Sequence, residues 1–301
     1  MIETTNLTKH YGDVKAVRGL DLDVEAGSIH GFVGPNGAGK STTMQMLVGA
    51  VTPTVGEAYI GGDPAGSLAA RGKIGYAPQD PSFYESMTAR SYLRYMCRVS
   101  DAGDVGDRVA ELLSWLDLAD AADQPIEGYS GGMRRRLGLA QALVHDPELL
   151  ILDEPTAELD PEGRASIIEA LENLTDDGKT VFVSSHVLAE LEQFIEAVTM
   201  IDDGRVVASG SLAEVRERVG ERAFLVESTD DPRLRDLLAD RDAVEQATTD
   251  GEDALVVATD DPEAFGTELP EVLADANIGL QAMRRDGGLE ETFLELVEEG
   301  E

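Results

Sequence analysis

The sequence predicts an α/β fold built on a mostly parallel sheet, followed by a small acidic α+β domain, and three observations carry that expectation. Through residue 210, short β-rich runs alternate with helical patterns, the order that packs helices against a parallel sheet. One run, Leu149-Leu150-Ile151-Leu152, is apolar at every position, as a central strand covered on both faces requires. Gly34-Pro35-Asn36-Gly37-Ala38-Gly39-Lys40-Ser41 joins an apolar strand to a helix with the glycine spacing of a phosphate-binding loop.

In chain order, strands are expected at 28–33, 73–77, 149–152, 180–184 and 197–201. Helices are expected at 40–48, 89–99, 105–116, 133–144 and 162–174, with Asp104, Asp160 and Pro161 where helix-start residues belong. The segment 84–124 reads as a helical insertion in the α/β frame, reaching about 135 with the loop after it. The frame is assigned to residues 1–215. A short helix at 212–219 leads into a second domain, residues 221–301. There a strand at 223–226 and a helix at 232–238 precede strands at 244–247 and 254–259, which flank the Asp250-Gly251 turn as a hairpin. A helix at 263–274, a strand at 278–283 and a helix at 289–297 complete an order compatible with a ferredoxin-like unit.

Composition narrows the function. The 301 residues suffice for a sizeable core, and 24 basic against 59 acidic residues give a net charge of −35. Such a surface repels phosphate backbones, so no nucleic-acid partner is expected. No run of about 18 apolar residues appears, and the N-terminus lacks a basic-then-apolar leader, so the chain is expected to stay in the cytoplasm. Its one cysteine, Cys97, lies among Tyr92, Leu93, Tyr95 and Met96 and reads as a packed thiol rather than a reactive one.

The chemistry of the glycine-rich loop comes from its residue types. Glycines let successive backbone N–H groups turn inward around an anion, and the next helix adds the positive end of its dipole. Lys40 would reach β- and γ-phosphates, the Ser41 hydroxyl would ligate Mg²⁺, and Thr42 could add an α-phosphate contact. Downstream, an apolar strand ends in Asp153-Glu154-Pro155, which places one carboxylate beside the metal and the other toward the terminal phosphate. Glu154 could then orient or deprotonate an attacking water. Read alone, the same stretch is a buried strand followed by a solvated acidic turn.

Tyr129-Ser130-Gly131-Gly132-Met133 adds a second glycine turn ahead of a helix. With it the chain resembles the ABC transporter ATPases, whose signature loop reads Leu-Ser-Gly-Gly-Gln, and the resemblance covers about residues 1–215. It implies a P-loop NTPase of the ABC type, with an antiparallel N-terminal part beside the parallel sheet and a helical insertion. Tyr11 matches the aromatic that stacks on adenine, Gln79 the Q-loop glutamine that senses γ-phosphate and Mg²⁺, Asp160 the D-loop aspartate, and His186 the switch histidine. Lys40, Glu154 and His186 are then the catalytic set, and Ser41, Gln79 and Asp153 the metal set. The resemblance further implies that Ser130, Gly131 and Gly132 contact the γ-phosphate of ATP held by a second copy or a homologous ATPase subunit. It implies as well a transmembrane permease that docks near Gln79 and the insertion. The chain would sit on the inner face of the membrane through that partner.

Met133 replaces the signature glutamine and cannot donate the bond that glutamine can make to ribose. Tyr129 replaces its leucine, and Glu158 stands where the D-loop often has a small residue. The Tyr-Ser-Gly-Gly-Met variant, and a tail containing Leu289-Glu290-Glu291-Thr292-Phe293-Leu294, resemble the exporter and drug-resistance branch. The alternative for Tyr11 is a cap on the core at a sheet edge, and for Gln79 a polar turn residue. The run Arg134-Arg135-Arg136 reads as a solvated helix face or local ion pairs, with no part in the site. The rival function is a non-transport ABC protein acting as a nucleotide-switched adaptor. Such relatives carry paired ATPase domains or long coiled-coil insertions, and this sequence shows neither.

The acidic, lysine-poor surface, with lysine only at positions 9, 15, 40, 73 and 179, resembles proteins of salt-loving organisms, in which ionic strength screens self-repulsion. The thermal unfolding midpoint is therefore expected to rise between low and molar KCl; a flat or falling midpoint would count against that reading.

Overall fold

The computed structural model describes residues 1–100, 105–157, 159, 161–219, 223–239, 241, 243–244, 246–250, 254–259 and 261–286. The chain divides into two compact units, Met1–Leu212 and Ala213–Glu301.

The first unit opens with β1 (Ile2–Tyr11) and β2 (Val14–Val24), an antiparallel pair. Alternation buries Val17, Leu20, Leu22 and Val24 on one side while polar neighbours face out. After β3 (Ile29–Val33) and α1 (Lys40–Leu47) come β4 (Val55–Ile60), the two-residue β5 (Asp63–Pro64), α2 (Leu68–Lys73) and β6 (Ile74–Ala77). The insertion supplies α3 (Ala89–Val99) and α4 (Val105–Trp115), and α5 (Gly131–Leu143) comes next. Then β7 (Leu149–Leu152), α6 (Pro161–Asp176), β8 (Thr180–Ser185), α7 (Leu188–Leu191), β9 (Ala197–Asp202) and β10 (Arg205–Ser211) complete the unit.

Two sheets result. One has the order β2-β1-β4-β5 and is antiparallel, and the other has the order β10-β9-β3-β8-β7-β6. In the second, only β10 runs antiparallel to its neighbour; β9, β3, β8, β7 and β6 pair in parallel. Their core joins Phe32 and Phe182, with ring centroids 5.1 Å apart, to Met44, Leu47, Ile151 and Ile201. Every residue of β7 is buried, as its unbroken apolar run predicts. Strand register decides where a ligand can sit. Ala77 pairs with Leu152, Leu152 with Val183, and Val33 with Ser185, so the strands end side by side. In open α/β sheets the crevice beyond those carboxyl ends is where ligands bind.

The insertion is built by apolar helix faces with defined starts. Thr88 caps α3 by accepting the Ser91 N–H, and Tyr92, Leu93 and Cys97 turn inward. Cys97 is buried and free. Expected and observed boundaries differ where a local cap or an unread helix intervenes. The strand expected from 73 starts at Ile74 because Lys73 closes α2, which Ser67 caps. The helix expected from 133 starts at Gly131 because Ser130 caps it. Asp104 lies outside the described residues.

In the second unit, α8 (Leu212–Val219) begins at the boundary, followed by β11 (Ala223–Ser228), α9 (Asp231–Leu238), β12 (Gln246–Asp250), β13 (Ala254–Ala258), α10 (Pro262–Ala276) and β14 (Leu280–Asp286). The sheet order is β12-β13-β11-β14, antiparallel throughout, which is the split β-α-β order taken twice. Phe224, Val226, Leu255 and Val257 pack with Leu234, Phe265 and Leu269 of the helices. Val244 falls outside the strand expected at 244–247: its N–H bonds the Arg241 carbonyl and its side chain joins the helix-facing core. Gly251 and the helix expected at 289–297 lie outside the described residues. No helix among the described residues is long and apolar enough to cross a membrane.

Gly75 of β6 lies against the backbone of α5: a Cβ there would overlap the Ala142 carbonyl and come within 2.9 Å of Pro147. Gly75→Ala is expected to destabilise the fold by about 1–3 kcal/mol. A urea titration should show a lower midpoint at unchanged slope.

Candidate functional site

The site begins where β3 ends. Gly34 has no room for a side chain, since a Cβ would overlap the Ile201 carbonyl, and Gly37 and Gly39 hold φ of 91° and 105°, values that favour glycine. The loop therefore turns tightly into α1, leaving Pro35, Asn36 and Gly37 exposed and Ala38 buried. Ser41 and Thr42 occupy the first turn of α1, half-buried. Lys40 is 6 % exposed and folds back over its own loop, its Nζ donating to the carbonyls of Gly34 at 2.6 Å and Pro35 at 3.2 Å. Burial lowers the Lys40 ammonium from its ordinary pKa, and the charges of Glu154 and Asp153 oppose that shift.

The ends of β6, β7 and β8 supply the facing wall. Beyond β7, the Asp153 N–H bonds the Ala77 carbonyl at the end of β6. Ser184 of β8 makes two bonds at this junction, donating to Asp153 Oδ1 at 2.7 Å and accepting the Glu154 N–H at 2.9 Å. Glu154 sits in the left-handed region at φ 48°, which costs a non-glycine residue about 1–3 kcal/mol and persists only where surrounding bonds impose it. A third bond does so from α5, where Arg135 donates to the Glu154 carbonyl at 2.6 Å.

Held this way, the Glu154 side chain, 7 % exposed, meets three groups from three other segments. Its Oε1 is 3.6 Å from Lys40 Nζ, while Oε2 accepts from Gln79 Nε2 at 3.2 Å and lies 3.1 Å from His186 Nδ1. His186 keeps 44 % of its side chain exposed, so its other ring nitrogen has room for a ligand. The Tyr76 phenol is pushed up to about 12, by burial first and by the Asp153 charge second. Among the described residues, no group of three or more His, Cys, Asp or Glu is placed to hold a metal ion.

Lys40, Gln79 and His186 thus each contact Glu154, with Asp153 joined to it through Ser184. Tyr11 and the Ser130 turn stand apart from this hydrogen-bond network. Tyr11, 48 % exposed at the end of β1, has the Lys9 ammonium 5.1 Å from its ring centroid. Ser130 accepts the Met133 N–H at 3.2 Å and caps α5, with Gly131 exposed and Gly132 half-buried beside it. Glu158 and Asp160 lie outside the described residues.

Two further contributors are not among the residues the sequence pattern singles out for the site. Ser184 shows only a weak signal, a hydroxyl at the end of an otherwise apolar strand beside the acidic one. Arg135 corrects the reading of the arginine run. Arg134 pairs with Glu85 at 2.8 Å and lies over Phe83, and Arg136 pairs with Asp117 at 3.8 Å, as local ion pairs should. The middle arginine instead points to the site, and nothing in a run of three identical residues marks which one does so.

The family model described as ABC transporter matches residues 17–157. The Nod factor export ATP-binding protein I of Ralstonia nicotianae is 35% identical over 304 residues, covering 99% of this chain and 94% of its own. The linearmycin resistance ATP-binding protein of Bacillus subtilis is 37% identical over 224 residues, covering 73% of this chain and 72% of its own. Among solved structures, the dimeric ATP-binding cassette MJ0796 in a post-hydrolysis state, bound to ADP and Pi, superposes with a TM-score of 0.65 at 28% identity, over 70% of this chain and 99% of its own.

Ser184→Ala removes a bond to a buried carboxylate and leaves the Glu154 N–H without its partner. It should lower the unfolding free energy by about 1–3 kcal/mol. The check is urea unfolding of the nucleotide-free chain, and a stability equal to that of the parent would show that the paired bonds do not hold the junction.

Proposed function

The chain belongs to the ABC transporter ATP-binding proteins, and from that premise we propose that it hydrolyses ATP to energise a separate transmembrane permease, in the direction of export. The observation that carries this reading is the Glu154 carboxylate, gathered with Lys40, Gln79 and His186 beyond the carboxyl ends of the parallel strands. The export direction is supported by the relatives, which are named for Nod factor export and linearmycin resistance.

The reaction is phosphoryl transfer to water, in which the protein's work is positioning and electrostatic stabilisation. The N–H groups of residues 36–40 and the start of α1 cradle the phosphates, and Lys40 exchanges its carbonyl partners for β- and γ-phosphate oxygens. Thr42 adds the α-phosphate contact and Tyr11 the adenine stack. Glu154 orients the attacking water and takes its proton, and His186 hydrogen-bonds the water or the γ-phosphate. The donor set at the strand ends is all oxygen: one buried carboxylate on Asp153, the Ser41 hydroxyl and the Gln79 amide. That set suits a hard cation shared with phosphates. Bound there, Mg²⁺ would neutralise charge between the β- and γ-phosphates.

The exposed turn at Ser130, Gly131 and Gly132 completes the site of a second subunit, so two copies, or this chain and a homologous subunit, close around two nucleotides. Through its permease the chain works at the cytoplasmic face of the membrane. Residues 221–301 form a separate unit that supports the dimer or docks a partner.

Glu154→Gln is expected to keep ATP affinity, to elute as a dimer with ATP and a monomer without it, and to lose at least about 100-fold in kcat. Steady-state hydrolysis at the parent rate would remove Glu154 from its role. ATP-independent elution would remove the nucleotide sandwich.

A further inference from the structure

We propose that Arg135 is a positioning residue for hydrolysis, fixing the Glu154 carboxylate through the Glu154 carbonyl and tying it to the helix that Ser130 caps. The proposal rests on the ATPase reading. Three observations converge on it. The Glu154 backbone is left-handed and is gripped on both sides, at its N–H by Ser184 and at its carbonyl by Arg135. Arg135 lies in the second turn of α5, and the first turn begins at Ser130, whose hydroxyl accepts the Met133 N–H. The flanking arginines are engaged elsewhere, Arg134 with Glu85 and Arg136 with Asp117, so Arg135 alone of the run reaches the strand-end junction.

A guanidinium presents its donors in a rigid fork, which suits it to hold a peptide carbonyl at a fixed angle. Without that donor, the Glu154 backbone is free to relax toward negative φ. The carboxylate would then swing away from Lys40, Gln79 and His186, which it now meets within 3.6 Å. A displacement of about 1 Å in a catalytic group is enough to cost roughly 100-fold in rate. The arrangement has a mechanical corollary. In the proposed dimer, Ser130 engages nucleotide held by the other copy, so α5 would report that engagement to the water-activating carboxylate of its own chain. Arg135 is the rod between the two sites.

The experiment is a double-mutant cycle on the full chain with ATP·Mg, pairing Arg135→Met with Glu154→Gln. Steady-state kinetics give the rates, and a fluorescent ATP analogue gives binding. Arg135→Met should lose about ten- to 100-fold in kcat while nucleotide affinity stays within about threefold of the parent. In the Glu154→Gln background it should change the residual rate by less than about twofold, because the two residues act as one unit. Arg135→Lys, which restores one donor, should recover part of the rate. Arg135→Gln, too short to reach the carbonyl, gives the Met pattern and serves where the Met variant loses its cooperative urea transition.

An Arg135→Met rate within about twofold of the parent overturns the proposal. So does an equal loss in both backgrounds, which would mean a route not passing through Glu154. Loss of affinity that accounts for the whole loss of rate overturns it too. A parent chain that does not hydrolyse ATP, or a Glu154→Gln variant as fast as the parent, instead defeats the ATPase reading, and this proposal with it.

Discussion

The structure turns on keeping one carboxylate nearly out of water and in the right place. A buried carboxylate is costly unless charge and hydrogen bonds compensate it, and Glu154 obtains both from segments far apart in sequence. Lys40 supplies the opposite charge from the phosphate loop, Gln79 a donor from the end of β6, and His186 a ring nitrogen from beyond β8. None of these could meet if the parallel strands were out of step. The in-register ends of β6, β7 and β8 are what let a cluster of short side chains close around a single group.

The same cluster explains how Lys40 can be so buried. Its ammonium is surrounded by the carbonyls of Gly34 and Pro35 and by the Glu154 carboxylate, acceptors that oppose part of the cost of desolvation. The loop is thereby shaped around a positive charge. In the proposed function, an incoming polyphosphate would meet a lysine already inside the cradle and would have only to displace internal acceptors. Preorganisation of this kind cuts the ordering cost of binding.

Much of this is legible in the sequence because its signals are local. A glycine pattern fixes a loop, an unbroken apolar tetrapeptide fixes a buried strand, and the acidic pair that ends it lies next in the chain. The five parallel strands and the insertion helices lie where periodicity puts them, with small shifts where Ser67 and Ser130 impose caps. What stays hidden depends on which neighbours the fold supplies. The inward turn of Arg135 depends on how α5 lies beside the turn that follows β7, and no periodicity separates it from Arg134 or Arg136. The two-way bond of Ser184 depends on the parallel pairing of β7 and β8, a relation between residues 31 positions apart. The β-branched side chain of Val244 favours a strand, and packing against helices prevails over that propensity.

The sheet order β9-β3-β8-β7-β6 sets when during biosynthesis the nucleotide site can exist. The strand before the phosphate loop pairs on one side with β8 and on the other with β9, so Ile29 must wait for Val181, and His30 for Ala197, before its backbone bonds close. Such distant pairings are slow to form because the loop between them must first be ordered. A nascent chain still tethered at the ribosome therefore carries a complete glycine loop before the strand ahead of it is held on both edges. That support is complete only once residues through 202 have emerged, and a ligand that binds only the folded chain stabilises the chains that have reached it.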